Sequence, residues 1–285
     1  AALVILSASP QALAVTDLSD TPMFTRVLPP PANIMFLLDD SGSMNFEMLV
    51  RGGFDGSYPN PDPAVRGFCY LFNDLGDNMY SSSYYPSWYA GAEGRQLWQT
   101  QFYQTNAMYY NPGVTYTPWP SYGSVTFTNA DKDNPRSHPV NGSYTLNLDV
   151  TSYKVGGVNV PHSRYVVYSA SQNKHYLVVL ASSSKQYYTF TVTGSGLAGK
   201  ISALISESSP PADVISGRSY SEERQNFANW FTYYRRREFV AKNALAKVIT
   251  GLSQVRVGIY GINKKVVQPL ADVNSDSTNT LLGLL

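Results

Sequence analysis

The chain has 285 residues, of which 43% are hydrophobic and 14% are charged, and its formal net charge is +1. The 21 Lys and Arg residues nearly balance the 20 Asp and Glu residues, so the composition gives no support to nucleic-acid binding. A chain of this length can bury one large hydrophobic core or two modest ones.

The N-terminus has the features of a shortened secretory signal peptide. Residues 1–6 are apolar, and Ala12-Leu13-Ala14 has the small-x-small pattern of a cleavage site. We therefore expect residues 1–14 to be a signal remnant and the mature chain to begin near Val15. No segment is long and apolar enough to cross a membrane. Cys69 is the only cysteine, which excludes a disulfide within this sequence. We expect a buried, unreactive thiol, and pairing with another chain or with residues outside this sequence stays open as the alternative.

Residues 34–38 predict a buried strand, because this apolar run is bounded by prolines upstream and by glycine downstream. Asp39, Ser41 and Ser43 follow at once, and Gly42 allows a tight bend. Ligands bind at the carboxyl ends of strands in open α/β sheets. One carboxylate and two hydroxyls suit Mg²⁺, Mn²⁺ or Ca²⁺ rather than Zn²⁺. The same residue types also favour a simple helix N-cap, so both interpretations stay open.

Residues 46–218 predict a large β-rich insertion that is rich in tyrosine. Its first half has many Pro and Gly residues and predicts irregular, aromatic-packed structure. In its second half, residues 144–150 alternate as a half-buried strand does. Residues 165–168 and 176–180 predict a hairpin, and residues 188–192 predict a further strand. The aromatic residues either shape a recognition surface or simply pack against one another.

Residues 219–251 predict one long amphipathic helix. Ser219 and Glu222 have the spacing of a capping box, and Gly251 lies near the expected helix end. The run of arginines at 235–237 is interpreted as a solvated helix face rather than a binding patch, because the three side chains fan out around a helix.

Residues 255–262 predict a second buried strand, and the apolar tail from about residue 276 predicts the start of another helix. The order strand, insertion, helix, strand, helix indicates a parallel α/β unit that is interrupted after its first strand. We expect residues 15–45 to hold the first strand and the metal loop. Residues 219–285 then hold the remainder of a truncated α/β domain.

Two resemblances extend this interpretation. The D-x-S-x-S spacing after a hydrophobic strand resembles the metal-ion-dependent adhesion site of von Willebrand factor A domains. The late arrival of the first helix, at Ser219, resembles the N-terminal region of the PilY family of type IV pilus tip-associated adhesins and biogenesis factors. The stretches that carry this second likeness are residues 17–22, 33–44, 108–119 and 226–235.

The resemblance implies a truncated von Willebrand factor A-like (Rossmann-like) sheet with a β-rich, Tyr-rich insertion after its first strand. It implies that Ser41 and Ser43 contact a divalent cation and that Asp39 supports it, often through water. With one assigned carboxylate, we expect Mg²⁺, Mn²⁺ or Ca²⁺ to be held weakly. The downstream Thr and Asp that complete such sites are not assigned in this chain.

The family resemblance also implies a non-enzymatic role in adhesion, pilus assembly and surface sensing. It implies export to the periplasm, the outer surface and the pilus tip of a Gram-negative bacterium. The implied partners are minor pilins and other pilus tip components, together with a host or surface ligand that binds through the metal site.

Two alternatives use the same chain differently. Asp40-Ser41-Gly42 is the tripeptide of aspartic peptidases, whose chemistry needs two Asp residues that share one proton. The chain has no second such tripeptide, so this alternative requires a homodimer.

Residues 272–276 have the spacing of an EF-hand start, but an exposed turn before a helix explains them better, since the required Gly and Glu are missing. His138, His162 and His175 have no metal-ligand spacing.

Overall fold

The structure is a computed structural model that describes residues 30–51, 69–72, 94–140, 144–150, 154–181, 183–263 and 267–285. The expected signal remnant, residues 1–14, and the family-like stretch 17–22 lie outside the described residues. Within the described residues the fold is mixed α/β, with three sheets and three α-helices. None of the helices in this part of the chain is both long enough and apolar enough to span a membrane.

The strands of the described residues are β1 (Ala32–Leu38), β2 (Lys154–Val155), β3 (Val158–Asn159), β4 (Arg164–Ser169), β5 (Lys174–Ala181), β6 (Ser184–Thr193), β7 (Lys200–Glu207), β8 (Val255–Gly261) and β9 (Val267–Asp272). The α-helices are α1 (Tyr220–Tyr233), α2 (Arg237–Thr250) and α3 (Ser275–Gly283). Short 3-10 turns cover Gly42–Asn45, Trp98–Gln101 and Gly196–Ala198.

The first sheet joins the two ends of the described chain in the order β1-β8-β9. β1 and β8 are parallel along their whole length, from Ala32 opposite Val255 to Leu38 opposite Gly261. This pairing confirms the predicted parallel unit, which needs a long crossover connection. β9 runs antiparallel to β8 at the edge of the sheet and was not predicted from the sequence.

Helices α2 and α3 pack on one face of this sheet. The buried residues of this cluster are Leu245, Ala246, Ile249, Val257, Ile259, Leu281 and Leu282, and Ile34, Phe36 and Leu38 of β1 pack against them. On the opposite face, Met35 is 55% exposed and Leu37 is 69% exposed. The prediction of a buried first strand is therefore wrong, because Ile34, Phe36 and Leu38 are only partly buried and the opposite face of β1 is exposed.

The insertion contains a four-stranded antiparallel sheet in the order β4-β5-β6-β7. The β4–β5 pairing confirms the predicted hairpin, and β6 confirms the predicted strand around residues 188–192. The turn between β4 and β5 includes Asn173 at φ 53°, a left-handed conformation that asparagine tolerates better than most residues. β7 was not predicted.

The predicted strand at residues 144–150 is not formed as a regular strand. Leu146 and Leu148 are buried, but Tyr144 and Val150, which the pattern places on the same face, are exposed. The backbone bonds of this segment reach the irregular stretch 133–137 and leave only an isolated bridge. The predicted alternation is therefore confirmed only between Leu146 and Leu148, and the strand assignment is wrong.

Helix α1 is docked into an aromatic core that the insertion supplies. The buried members of this core include Phe72, Tyr109, Tyr110, Tyr165, Tyr176, Phe227, Trp230 and Phe231. The indole Nε1 of Trp230 donates to the carbonyl oxygen of Met108 at 3.0 Å. Burial raises the pKa of Tyr110 and of Tyr165 far above the usual range of a phenol. Many of the insertion's tyrosines therefore serve internal packing.

The single long helix expected at residues 219–251 is two helices. The capping box of Ser219 and Glu222 is present, and the second helix ends at Gly251, as predicted. Between them, Arg236 has an extended backbone with φ −103° and ψ 151°. The expected solvated arginine face is also wrong, because Arg235 is 0% exposed and Arg236 is buried. Nε of Arg235 donates to the buried Oε1 of Glu47 at 2.7 Å.

Candidate metal centre

The predicted metal loop begins where β1 ends, beside the end of β8. The backbone N–H of Ile262 donates to the carbonyl oxygen of Leu38 at 2.9 Å. The next N–H, of Asn263, donates to Oδ1 of Asp40 at 2.7 Å. These two bonds hold the loop at the carboxyl ends of two parallel strands, which is the edge where open α/β sheets bind ligands.

The loop brings its two serine hydroxyls together. Oγ of Ser41 and Oγ of Ser43 are 3.1 Å apart. Oδ1 of Asp39 accepts the backbone N–H of Ser41 at 2.9 Å, so the carboxylate lies against the same bend. Ser41 occupies the N-cap position of the 3-10 turn, but its side chain makes no capping hydrogen bond. The Ser41 hydroxyl therefore does not act as the N-cap of this turn.

A cavity of about 230 Å³ lies between the loop and the first turns of α2. Its lining residues are Leu38, Asp39, Asp40, Ser41, Met44, Asn45, Glu238, Ala241, Lys242 and Leu284. Three carboxylates and one ammonium group line it, so its charge is predominantly negative. A concave site with this charge attracts cations.

Asn45 is the residue of this site that sequence reasoning missed. It is 5% exposed, and its Oδ1 accepts no hydrogen bond from the described residues. A buried carbonyl oxygen without a donor is costly, by roughly 1–3 kcal/mol, unless a ligand, a water or an ion satisfies it. A signal was present, since Asn45 continues the every-second-residue spacing of Asp39, Ser41 and Ser43.

Glu238 and Lys242 come to the cavity from α2, one helical turn apart, where they form an ion pair. Both side chains are mostly buried. No local pattern in the sequence connects them to the loop, because only the folding of α2 onto the sheet brings them there. The pair places a carboxylate opposite the loop and holds it with an ammonium group.

The donor set fits a hard divalent cation. Two hydroxyls, one carboxylate and one orphaned amide oxygen are all oxygen ligands, which Mg²⁺, Mn²⁺ and Ca²⁺ prefer. The described residues contain no group of three or more His, Cys, Asp or Glu side chains that could hold a metal ion. The residues that would hold a cation here are Ser41, Ser43 and Asp39, with Asn45 as a further oxygen ligand.

The three histidines stand outside this site, since none lines the cavity. Burial, together with Lys242 and Arg236, lowers the pKa of His138 to about 4. Burial, together with Arg95 and Arg164, lowers the pKa of His162 to about 3. Burial also lowers the pKa of His175.

The EF-hand-like segment is a helix start, as expected. The backbone N–H of Ser277 donates to Oδ1 of Asn274 at 2.9 Å, and the N–H of Asn274 donates to Oγ of Ser277 at 2.8 Å. This reciprocal pair caps α3. Cys69, the other residue singled out by the sequence, is buried, as expected.

Comparison with protein-family models finds no match, and comparisons with curated proteins and with solved structures find none either. The class that fold and site define is therefore a mixed α/β protein with an oxygen-rich, acidic loop site at the edge of a parallel strand pair.

Proposed function

We propose that the chain is a non-enzymatic adhesion and pilus-assembly protein with a divalent-cation-dependent binding site. One observation carries the proposal. The hydroxyls of Ser41 and Ser43 lie 3.1 Å apart at the carboxyl end of β1, beside an acidic cavity that is also lined by Asn45, whose Oδ1 is buried without a hydrogen-bond donor from the described residues. Such a set of acceptors is suited to a cation and leaves room for part of a ligand.

The strand order supports a von Willebrand factor A-like domain. In β1-β8-β9 the neighbours in the sheet follow chain order, as they do in one half of a doubly wound sheet. An antiparallel edge strand on an otherwise parallel sheet is also common in such folds. The insertion, residues 46–218, then separates the first strand from the helices that cover it.

In this proposal Ser41 and Ser43 bind the cation directly, and Asp39 supports it through water. The amide oxygen of Asn45 is a further candidate ligand. A cation with an open position accepts a carboxylate from a partner, and the cavity leaves space for the stem of that side chain. With few formal charges among the ligands, we expect an affinity in the range of about 0.1–1 mM.

The biological setting of the proposal rests on the PilY resemblance. It comprises export to the cell surface and pilus tip, minor pilins as partners, and a host or surface ligand at the cation. The buried tyrosines of the insertion support a scaffolding role for that segment.

Isothermal titration with Mn²⁺ tests the cation site. We expect the Asp39→Ala variant to bind Mn²⁺ at least about tenfold more weakly than the wild type, because ligand-supporting groups contribute that much to metal affinity. Asp272→Ala is the matched control: its exposed carboxylate pairs with Arg256 at the opposite end of the same sheet. We expect this control to bind Mn²⁺ as the wild type does. Equal affinities for Asp39→Ala and wild type would contradict the proposal.

The peptidase alternative makes a different prediction. It requires that an unfolded protein substrate is cleaved and that Asp40→Asn abolishes cleavage while Mn²⁺ affinity is retained. Absence of cleavage by the wild-type chain at acidic and neutral pH would remove this alternative.

A further inference from the structure

A buried ion pair joins the segment after the metal loop to the break between α1 and α2. Nε of Arg235 donates to Oε1 of Glu47 at 2.7 Å, and both side chains are almost fully buried. Replacing such a pair by apolar residues is often neutral or stabilising, so its presence is weak evidence for a stability role. Such a pair can instead fix one conformation of the segments that it joins.

On one side the pair contacts distant parts of the insertion. Oε2 of Glu47 accepts the backbone N–H groups of Leu71 at 2.6 Å and Phe72 at 2.9 Å. Nη2 of Arg235 donates to the carbonyl oxygen of Ser137 at 3.1 Å. The ion pair therefore joins four segments that are far apart in the chain, at residues 47, 71–72, 137 and 235.

On the other side the same region holds the metal loop. The backbone N–H of Arg237 donates to the carbonyl oxygen of Phe46 at 3.2 Å. Its guanidinium donates through Nε and Nη2 to the carbonyl oxygen of Met48, at 3.1 and 2.6 Å. The N–H of Phe46 in turn donates to the carbonyl oxygen of Ser43 at 3.1 Å. One short path of hydrogen bonds thus leads from Arg237 to a predicted cation ligand.

The opposite wall of the cavity starts at the same place. Helix α2 begins at Arg237, and Glu238 and Lys242, in its first turns, line the cavity. Any movement of the helix start relative to residues 46–48 would change the distance between the two walls.

We infer that Glu47, Arg235 and Arg237, the arginine clamp, position the metal loop and couple its geometry to the packing of the insertion. These are positioning residues, because none of them lines the cavity. The expected change in Mn²⁺ affinity rests on the proposed function, whereas the expected change in amide hydrogen exchange of the loop does not.

The test compares Arg235→Lys with Arg224→Lys in the full chain. Lysine keeps the charge but cannot reproduce the guanidinium fork. Arg224 is also buried, but its side-chain partners include Asp133, Asp149 and Tyr220 and none lies in the metal loop. Amide hydrogen exchange at residues 41–46 and Mn²⁺ affinity are measured for both variants at a temperature where both are folded.

We expect faster exchange at residues 41–46 and about tenfold weaker Mn²⁺ binding in Arg235→Lys, with neither change in Arg224→Lys. Arg237→Lys, whose side chain is less buried, serves as a second variant if Arg235→Lys does not fold, and the same result is expected. Loop exchange that is the same in the clamp variants and in Arg224→Lys would overturn the inference. If the clamp variants exchange faster but the wild type binds no Mn²⁺, the positioning role of the clamp is supported and the proposed function is rejected.

Discussion

Replacing Trp230 by alanine is expected to lower the free energy of unfolding by about 3–5 kcal/mol. Trp230 is 2% exposed, and its ring centroid lies 5.0 Å from that of Tyr109 and 5.1 Å from that of Phe227. Removing the indole leaves a large cavity and also removes the donor to Met108. Urea unfolding followed by circular dichroism measures the loss.

Trp230→Phe is the matched control for this prediction. Phenylalanine keeps most of the apolar volume but cannot donate to the carbonyl oxygen of Met108. We therefore expect a smaller loss, of about 1–3 kcal/mol. A loss below about 1 kcal/mol for Trp230→Ala would show that α1 is not anchored in the aromatic core of the insertion.

Arg235→Met is expected to be destabilising by about 3–5 kcal/mol, because it leaves the carboxylate of Glu47 buried without its cation. The double variant Glu47→Gln with Arg235→Met removes both charges, while the amide oxygen of the introduced glutamine side chain still accepts from the N–H groups of Leu71 and Phe72. We expect this double variant to be more stable than Arg235→Met alone. The coupling between the two positions should be about 0.5–3 kcal/mol.

Urea unfolding of the wild type, both single variants and the double variant completes this cycle. Additive effects of the two substitutions would mean that the 2.7 Å contact between Arg235 and Glu47 contributes no specific interaction. The stability cycle complements the loop-exchange test, which reports positioning rather than stability.

Local signals in the sequence were sufficient for the elements that depend on neighbouring residues. Two apolar runs identified β1 and β8, which pair in parallel as expected. The Ser219–Glu222 spacing located the start of α1, and two runs of β-branched and aromatic residues joined by a polar turn located the β4–β5 hairpin. In each case the physical cause lies within one element and its immediate flanks.

The features that were not predicted correctly depend on contacts between residues that are far apart in the chain. Arg235 looks like a surface residue until Glu47, 188 positions away, is brought to it, and no helical periodicity carries that information. β9 is short and contains Pro269, which is tolerated at a sheet edge, so its strand signal is weak. Residues 144–150 have a strand's alternation but lack a regular partner strand.

The candidate site divides in the same way. Asp39, Ser41 and Ser43 were identified from spacing alone, since they follow one strand directly. Glu238 and Lys242 were not identified, because they lie on α2, which follows the insertion in the chain and reaches the loop only in the folded protein. The spacing of Asn45 could have been recognised in the sequence, but only the structure shows that its amide oxygen is buried without a hydrogen-bond donor from the described residues.

The position of a bound ion tests the proposed cation site most directly. Crystals of the wild-type chain soaked in Mn²⁺ would be measured at a wavelength where manganese scatters anomalously. We predict an anomalous peak within about 2.6 Å of both Oγ of Ser41 and Oγ of Ser43. A fully soaked crystal with no peak at this loop, or with the two hydroxyls turned away from each other, would contradict the proposed site.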